Sequence, residues 1–156
     1  MSFKIISNDS IVSVDWLRLA DMLELSGLNK RELPKLQRAF EHSQFRYLGF
    51  YDGILMATAR AISDLTTVSY LCDVAIHPEF QGRGYGKQLM QYIMQDLTPL
   101  GKIILYAVPD KIEFYQHFHF HPLLTAMTFV DGDGLTRMSQ LGYIPPLPPQ
   151  ESSRCD

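Results

Sequence analysis

Long apolar runs are missing from this chain of 156 residues: none approaches the ~18 consecutive residues that a membrane span needs. The N-terminus lacks the charged-then-apolar layout of a secretory signal. The expectation is a cytoplasmic protein with no membrane partner. Cysteine is scarce as well. Cys72 falls inside a strand-like run and Cys155 in the last two residues, so a disulfide would have to pin the tail onto a sheet, and two free thiols are expected. Charge of one sign is not in excess: 14 Lys and Arg stand against 17 Asp and Glu, for a net charge of −3, with no run of like charges. That balance gives no basic footprint for nucleic acid. A G-x-S-x-G elbow is absent and neither cysteine opens a glycine-rich helix, which leaves covalent nucleophilic catalysis without support.

What is present fits one globular domain. With 46% apolar residues, the chain can bury a core. A single domain over residues 1–143 is expected, followed by a proline-rich tail over 144–156, where Pro145-Pro146-Leu147-Pro148-Pro149 suits neither helix nor strand interior.

Phe3 to Ser7 reads as a strand, with Asp9 or Ser10 as capping material for a helix from Val14 to Leu25 that ends at Gly27. A second helix is predicted from Arg31 to His42, with Pro34 in its first turn. Two strand-like runs, Phe45 to Tyr51 and Ile54 to Ile62, flank Asp52-Gly53, a dipeptide suited to a two-residue hairpin turn. Thr67 to Ile76 follows as a strand, then a helix from Arg83 to Leu97. Lys102 to Val108 reads as a strand buried on both faces. A short helix from Asp110 to Phe118, a strand from His121 to Val130 and a turn at Asp131-Gly132-Asp133-Gly134 complete the reading.

The stretch Val74-Ala75-Ile76-His77-Pro78-Glu79-Phe80-Gln81-Gly82-Arg83-Gly84-Tyr85-Gly86 carries the chemistry: a strand ends, and a glycine-rich turn feeds directly into a helix. Glycines at 82, 84 and 86 allow close backbone approach, and the first N–H groups of the helix have no intrahelical partner. Together they make a cradle for a pyrophosphate. Two common phosphate motifs fail on spacing. A Rossmann fingerprint needs its third glycine one residue later, and a Walker loop needs four residues between glycines and then Lys-Ser/Thr, where this chain has Lys87-Gln88.

What remains, Gln81-Gly82-Arg83-Gly84-Tyr85-Gly86, resembles the acetyl-CoA loop of the GCN5-related N-acetyltransferases, Q/R-x-x-G-x-G/A. Phe114-Tyr115-Gln116-His117-Phe118-His119-Phe120 is similar to the family's downstream F-Y-x-x-L-G-F segment, and residues 60–127 look most like the arylalkylamine (serotonin-type) branch and its small bacterial relatives. The resemblance implies an α/β (α+β) fold: a mixed, mostly antiparallel sheet splayed between two central parallel strands, with helices on both faces. It implies acetyl-CoA as co-substrate, its pantetheine on the backbone of Val74, Ala75 and Ile76 and its pyrophosphate on Gln81, Gly82, Arg83, Gly84, Tyr85, Gly86 and Lys87. The activity implied is acetyl transfer to a primary amine, of a small molecule in the first reading and of a protein lysine in another. A weakened acetyl-CoA-binding sensor is the competing class. A homodimer stays open.

Tyr115 falls where the family's tyrosine protonates the departing thiolate. Asp73 is the first candidate for the base that takes the amine proton, because a carboxylate in an otherwise apolar strand is costly unless paired or used; the alternative is a structural acceptor for loop backbone or for Arg60. The branch's two proton-accepting histidines are replaced by Tyr70 and Cys72, leaving Tyr70 or a water chain as substitutes. The family's asparagine ahead of the short helix is absent from Val108-Pro109-Asp110, and His119 stands where the family has glycine. Alternating His117, His119 and His121 would share a face only on a strand, and the resemblance puts His117 on a helix end, so no metal site is expected.

Overall fold

The computed structural model describes residues 2–7 and 13–148. The chain divides into two compact units, Met1–Tyr106 and Ala107–Asp156.

The first unit is built on a five-stranded sheet in the order β1-β2-β3-β4-β5: β1 Phe3–Ser7, β2 Phe45–Tyr51, β3 Ile54–Ser63, β4 Val68–Ile76 and β5 Lys102–Ile104. β1 to β4 run antiparallel in succession, and β5 joins β4 in parallel. The sheet is therefore mixed and mostly antiparallel, as expected. Asp52 and Gly53 both take positive φ (46° and 81°), the requirement of the tight turn that joins β2 to β3.

Three helices cover the two faces. α1 (Trp16–Leu25) starts at Asp15, whose carboxylate accepts the Arg18 N–H at 3.0 Å; the capping residues expected at Asp9 or Ser10 lie outside the described residues. It ends as predicted at Gly27 (φ 86°), with Leu28 donating its N–H to the Leu23 carbonyl and Gly27 to that of Glu24. α2 (Leu33–Glu41) keeps Pro34 in its first turn, and α3 spans Tyr85–Leu97. Neighbouring strand residues point to opposite faces, and Leu48 and Tyr47 show which helix lies where. Leu48 is buried in one cluster with Leu19, Leu23, Leu36, Phe40 and Ala75, under α1 and α2. Tyr47 meets Tyr92 of α3 edge-on at 6.2 Å between ring centres. β3, between two strands and two helical layers, buries Ala57, Thr58, Ala59 and Ala61 completely.

Two expected strands differ. Lys102 to Val108 is a strand only through Ile104, and it is half-buried rather than covered on both faces, because β5 has a partner on one side only among the described strands. His121 to Val130 forms no strand. Leu124, Met127 and Phe129 in this stretch are 93%, 97% and 93% exposed. Among the described strands β5 is last in the order, paired with β4.

In the second unit, a 3₁₀ turn at Pro109–Lys111 leads into α4 (Ile112–Gln116), and α5 (Gly132–Gln140) begins where only a turn was predicted. The two glycines in its first turn hide the helix from a propensity argument. The described start of the proline-rich tail is neither helix nor strand, and Ser139 Oγ ties it to α5 through the Pro145 carbonyl (3.4 Å) and the Leu147 N–H (3.3 Å).

Candidate active site

β4 and β5 stay together for three pairs, Val68 with Lys102, Ser69 with Ile103 and Tyr70 with Ile104, and then part. Beyond Tyr70 that edge of β4 has no strand beside it among the described residues. On the other side β4 follows β3 with a slip: Thr58 pairs with Ala75 but Arg60 with Cys72, so β4 carries one extra residue between them. This is a β-bulge, and Asp73 within it takes φ 55°, a left-handed conformation that aspartate tolerates better than most residues.

The bulge decides which backbone groups face the open edge. His77 donates its N–H to the Met56 carbonyl of β3 at 2.8 Å, and an antiparallel ladder alternates, so Ala75 presents its peptide groups to β3 while Val74 and Ile76 turn theirs away. Ala75 is also 4% exposed and part of the core under α1. Of the three predicted pantetheine contacts, Val74 and Ile76 turn their peptide groups to the open side, and Ala75 turns its own to β3. The Ile76 carbonyl already accepts from Gln81 Nε2 at 2.8 Å and from Ser26 Oγ at 3.3 Å. Gln81 thus buttresses the loop from below.

The loop itself runs from a 3₁₀ turn at Pro78–Phe80 into α3. Gly82 and Gly84 both adopt left-handed backbone, φ 74° and 82°, and a Cβ on either would meet nothing within 4 Å. The space over both is open. Gly84 is the N-cap of α3 and no side chain caps that end, so the N–H groups of Tyr85, Gly86 and Lys87 are turned toward that space without an intrahelical acceptor. Gly86 lies inside the helix. Arg83 is exposed, its guanidinium 5.9 Å from the centre of the Phe80 ring, and Lys87 is exposed one turn into α3. Tyr85 packs between Phe3 (4.9 Å) and Tyr51 (5.8 Å), which fixes the first turn of the helix against the sheet. A helix N-terminus with flanking cations and glycine-only backbone is suited to a pyrophosphate.

The aromatic side chains of β2, β4 and the glycine loop do not gather at one place. Tyr47 is in the core against Phe45 and Tyr92, Tyr51 and Phe80 pack by the glycine loop, and Tyr70 stacks on Tyr106 at 6.3 Å, where β4 and β5 part.

At the level of family, comparison with known proteins is decisive. The family model described as "Acetyltransferase (GNAT) family" matches residues 14–120, from the start of α1 past α4. This chain belongs to the GNAT family. An uncharacterized ycf52-like N-acetyltransferase of Prochlorococcus marinus is 32% identical over 67% of this chain and 61% of its own length. Serotonin N-acetyltransferase 2, chloroplastic, of Oryza sativa subsp. japonica is 32% identical over 71% of the chain and 58% of its own length. The chain thus spans about three fifths of these curated relatives. A crystal structure of a putative GNAT-family acetyltransferase from Xanthomonas campestris superposes with a TM-score of 0.69 at 32% identity, covering 81% of this chain and 94% of that one.

Within this GNAT unit, Asp73 is fully engaged. Its Oδ2 accepts from Arg31 Nη1 (2.6 Å) and Arg60 Nε (2.5 Å), its Oδ1 from Arg31 Nη2 (2.5 Å), and its side chain is 3% exposed. Burial alone would raise its pKa; the hydrogen bonds and charges of Arg31 and Arg60 outweigh that and hold it below the ordinary carboxylate value. The same pairing raises Arg31 further. A carboxylate held ionised with both oxygens occupied is a poor proton acceptor, so the geometry favours the structural alternative, with Arg60 the partner foreseen and Arg31 the one missed. Burial pushes the neighbouring Cys72 thiol up to about 11 and also raises Tyr70.

Tyr115 belongs to the second compact unit. Its phenol is half-buried, edge-on to Phe114 (5.1 Å) and Phe120 (6.0 Å), and burial pushes it up to about 12. His119 follows α4 at φ 63°, the conformation for which the family's glycine is suited. His117 Nδ1 lies 2.6 Å from the Glu113 carbonyl, and among the described residues no three His, Cys, Asp or Glu side chains converge as metal ligands.

Proposed function

We propose that this GNAT-family chain moves the acetyl group of acetyl-CoA to a primary amine of a small molecule by direct attack in a ternary complex. The observation that carries this reading is the sequence of features along one stretch: an opened β4 edge at Val74 and Ile76, leading straight into the uncapped, glycine-lined start of α3. The first would pair with pantetheine amides as an added strand does, and the second would hold the pyrophosphate. Gln81 sets the loop on β4, while Arg83 and Lys87 add positive charge beside it.

In the transfer, the amine nitrogen bonds to the acetyl carbonyl carbon, the carbon–sulfur bond breaks, the sulfur gains a proton and the nitrogen loses one. Tyr115 is assigned the first proton by its place in the F-Y motif. A phenol raised to about 12 holds its proton throughout the neutral range, ready for a thiolate as it forms. The second proton leaves through water or by way of the Tyr70 hydroxyl, because Asp73 is committed to two guanidinium groups.

Calorimetric titration with acetyl-CoA tests the cofactor, and an amine panel followed by thiol release tests the acceptor. Binding of acetyl-CoA with turnover of at least one small amine is the expected result. Turnover of a protein lysine alone moves the acceptor class, and acetyl-CoA binding without any turnover assigns a sensor.

A further inference from the structure

Asp73 is the one acidic or basic residue buried among the described residues, and it joins three separate stretches of chain. Arg31 comes from the connection between α1 and α2, Arg60 from β3, and Asp73 itself from the β4 bulge. Arg60 Nη1 also reaches Ser43 Oγ at 3.3 Å, past the end of α2. A second tie fixes the same connection to the same strand: Ser26 Oγ donates to the Ile76 carbonyl. The segment between Ser26 and Arg31 is therefore fastened to β4 at both of its ends, on either side of Val74.

Stability alone is a weak account of such a cluster, since a buried ion pair is often matched by well-packed apolar residues. Its placement gives a better one. The bulge turns the backbone of Val74 and Ile76 to the open edge, and it depends on a left-handed Asp73, a conformation held by what the carboxylate binds. Arg31 is 27% exposed, and the Asp73 it holds lies three residues past Tyr70, the last β4 residue paired with β5.

We propose that Arg31, Asp73 and Arg60 form a positioning clamp that holds the β4 bulge in the shape needed for the cofactor edge and fastens the α1–α2 connection to it, so that acetyl-CoA binding and ordering of that connection are coupled. The proposal rests on acetyl-CoA lying along β4.

The test uses the full chain and its Arg31→Gln and Arg31→Lys variants, which alter the clamp at its most exposed member. Acetyl-CoA affinity is read by calorimetry, and amide hydrogen exchange is followed over 26–32 and 72–76. In the unaltered chain, saturating acetyl-CoA slows exchange in both segments. Arg31→Gln is expected to keep the slowing over 72–76, to lose it over 26–32, and to weaken acetyl-CoA by about tenfold, 1.4 kcal/mol. Arg31→Lys restores part of both effects, because an ammonium group keeps the charge but not the two-pronged contact. Unchanged affinity together with retained slowing over 26–32 in Arg31→Gln overturns the clamp while leaving the acetyltransferase reading intact. Failure of the unaltered chain to bind acetyl-CoA overturns that reading and the clamp with it.

Discussion

Gly84 and Gly53 make a matched pair for testing the phosphate cradle. Both hold left-handed backbone, φ 82° and 81°, and at both a Cβ would meet nothing within 4 Å. An alanine at either site costs about 1–2 kcal/mol of backbone strain, offset by about 0.4–1 kcal/mol from a less flexible unfolded chain. The net loss of about 1 kcal/mol lowers the melting temperature by about 2–4 °C in a chain of this size. Thermal melts should therefore rank Gly84→Ala and Gly53→Ala together. Binding should separate them. The methyl group at 84 stands in the open space before the first N–H groups of α3, where a pyrophosphate must approach, while the one at 53 stands at the tip of the β2–β3 hairpin. Displacing a phosphate from two or three such donors costs about 3 kcal/mol, so Gly84→Ala is expected to weaken acetyl-CoA by about 10²-fold in calorimetry and Gly53→Ala to leave it unchanged. Equal affinities for the two variants would falsify the cradle, since their conformational costs are already matched.

Tyr115→Phe should lower kcat by about 10²-fold with acetyl-CoA affinity nearly intact, because only the proton donor is removed; an equal fall in affinity assigns the phenol to binding instead. His119→Gly should raise stability in a denaturant melt by about 0.5–1 kcal/mol, since it relieves a φ of 63° at an exposed side chain; a loss of stability shows that the imidazole makes a contact worth more than the strain. Asp73 is held below its unfolded pKa of about 3.9, so its stabilising contribution is complete above that value and fades as pH falls through the folded one. Asp73→Asn should melt well below the unaltered chain at pH 7, with the gap narrowing once pH falls below about 3.9 and the neutral-range profile of kcat/KM keeping its shape. Loss of the acidic limb of that profile returns Asp73 to the role of base.

Local chemistry was legible in the sequence, and long-range chemistry was not. The hairpin at Asp52-Gly53, the end of α1 at Gly27 and the glycine turn into α3 are each decided by a few neighbouring residues whose backbone preferences are strong. The demand that Asp73 find a partner was also visible, because a carboxylate in an apolar strand must be paired. Arg31 as that partner was not, for it lies 42 positions away on a connection with no periodic pattern. The bulge that makes Asp73 left-handed gives no signal either: residues 68–76 alternate buried and half-buried throughout, and the slip shows only in the pairing with β3. His121 to Val130 misled for the opposite reason. Its alternation is that of a strand, but a strand is completed by a neighbour, and the sequence does not say whether one is offered.

Proton traffic follows from how the groups around the parting of β4 and β5 are held. Taking a proton from an ammonium acceptor needs a site of comparable basicity that is free to accept. The Asp73 carboxylate is ionised but occupied, and its lowered pKa makes it weaker still as a base. Cys72, pushed up to about 11, stays a thiol at neutral pH, and Tyr70, raised as well, stays a phenol. Neither can take a proton without first giving one up, so each serves only as a relay. Under the proposed transfer to an amine, the acceptor therefore has to arrive in its neutral form or pass its proton to water. The apparent pKa of the acidic limb of kcat/KM should then follow the acceptor from one amine to the next, and an aromatic or weakly basic amine should show that limb at lower pH than an aliphatic one. A limb fixed at one pH across the amine series requires a protein base and overturns this account.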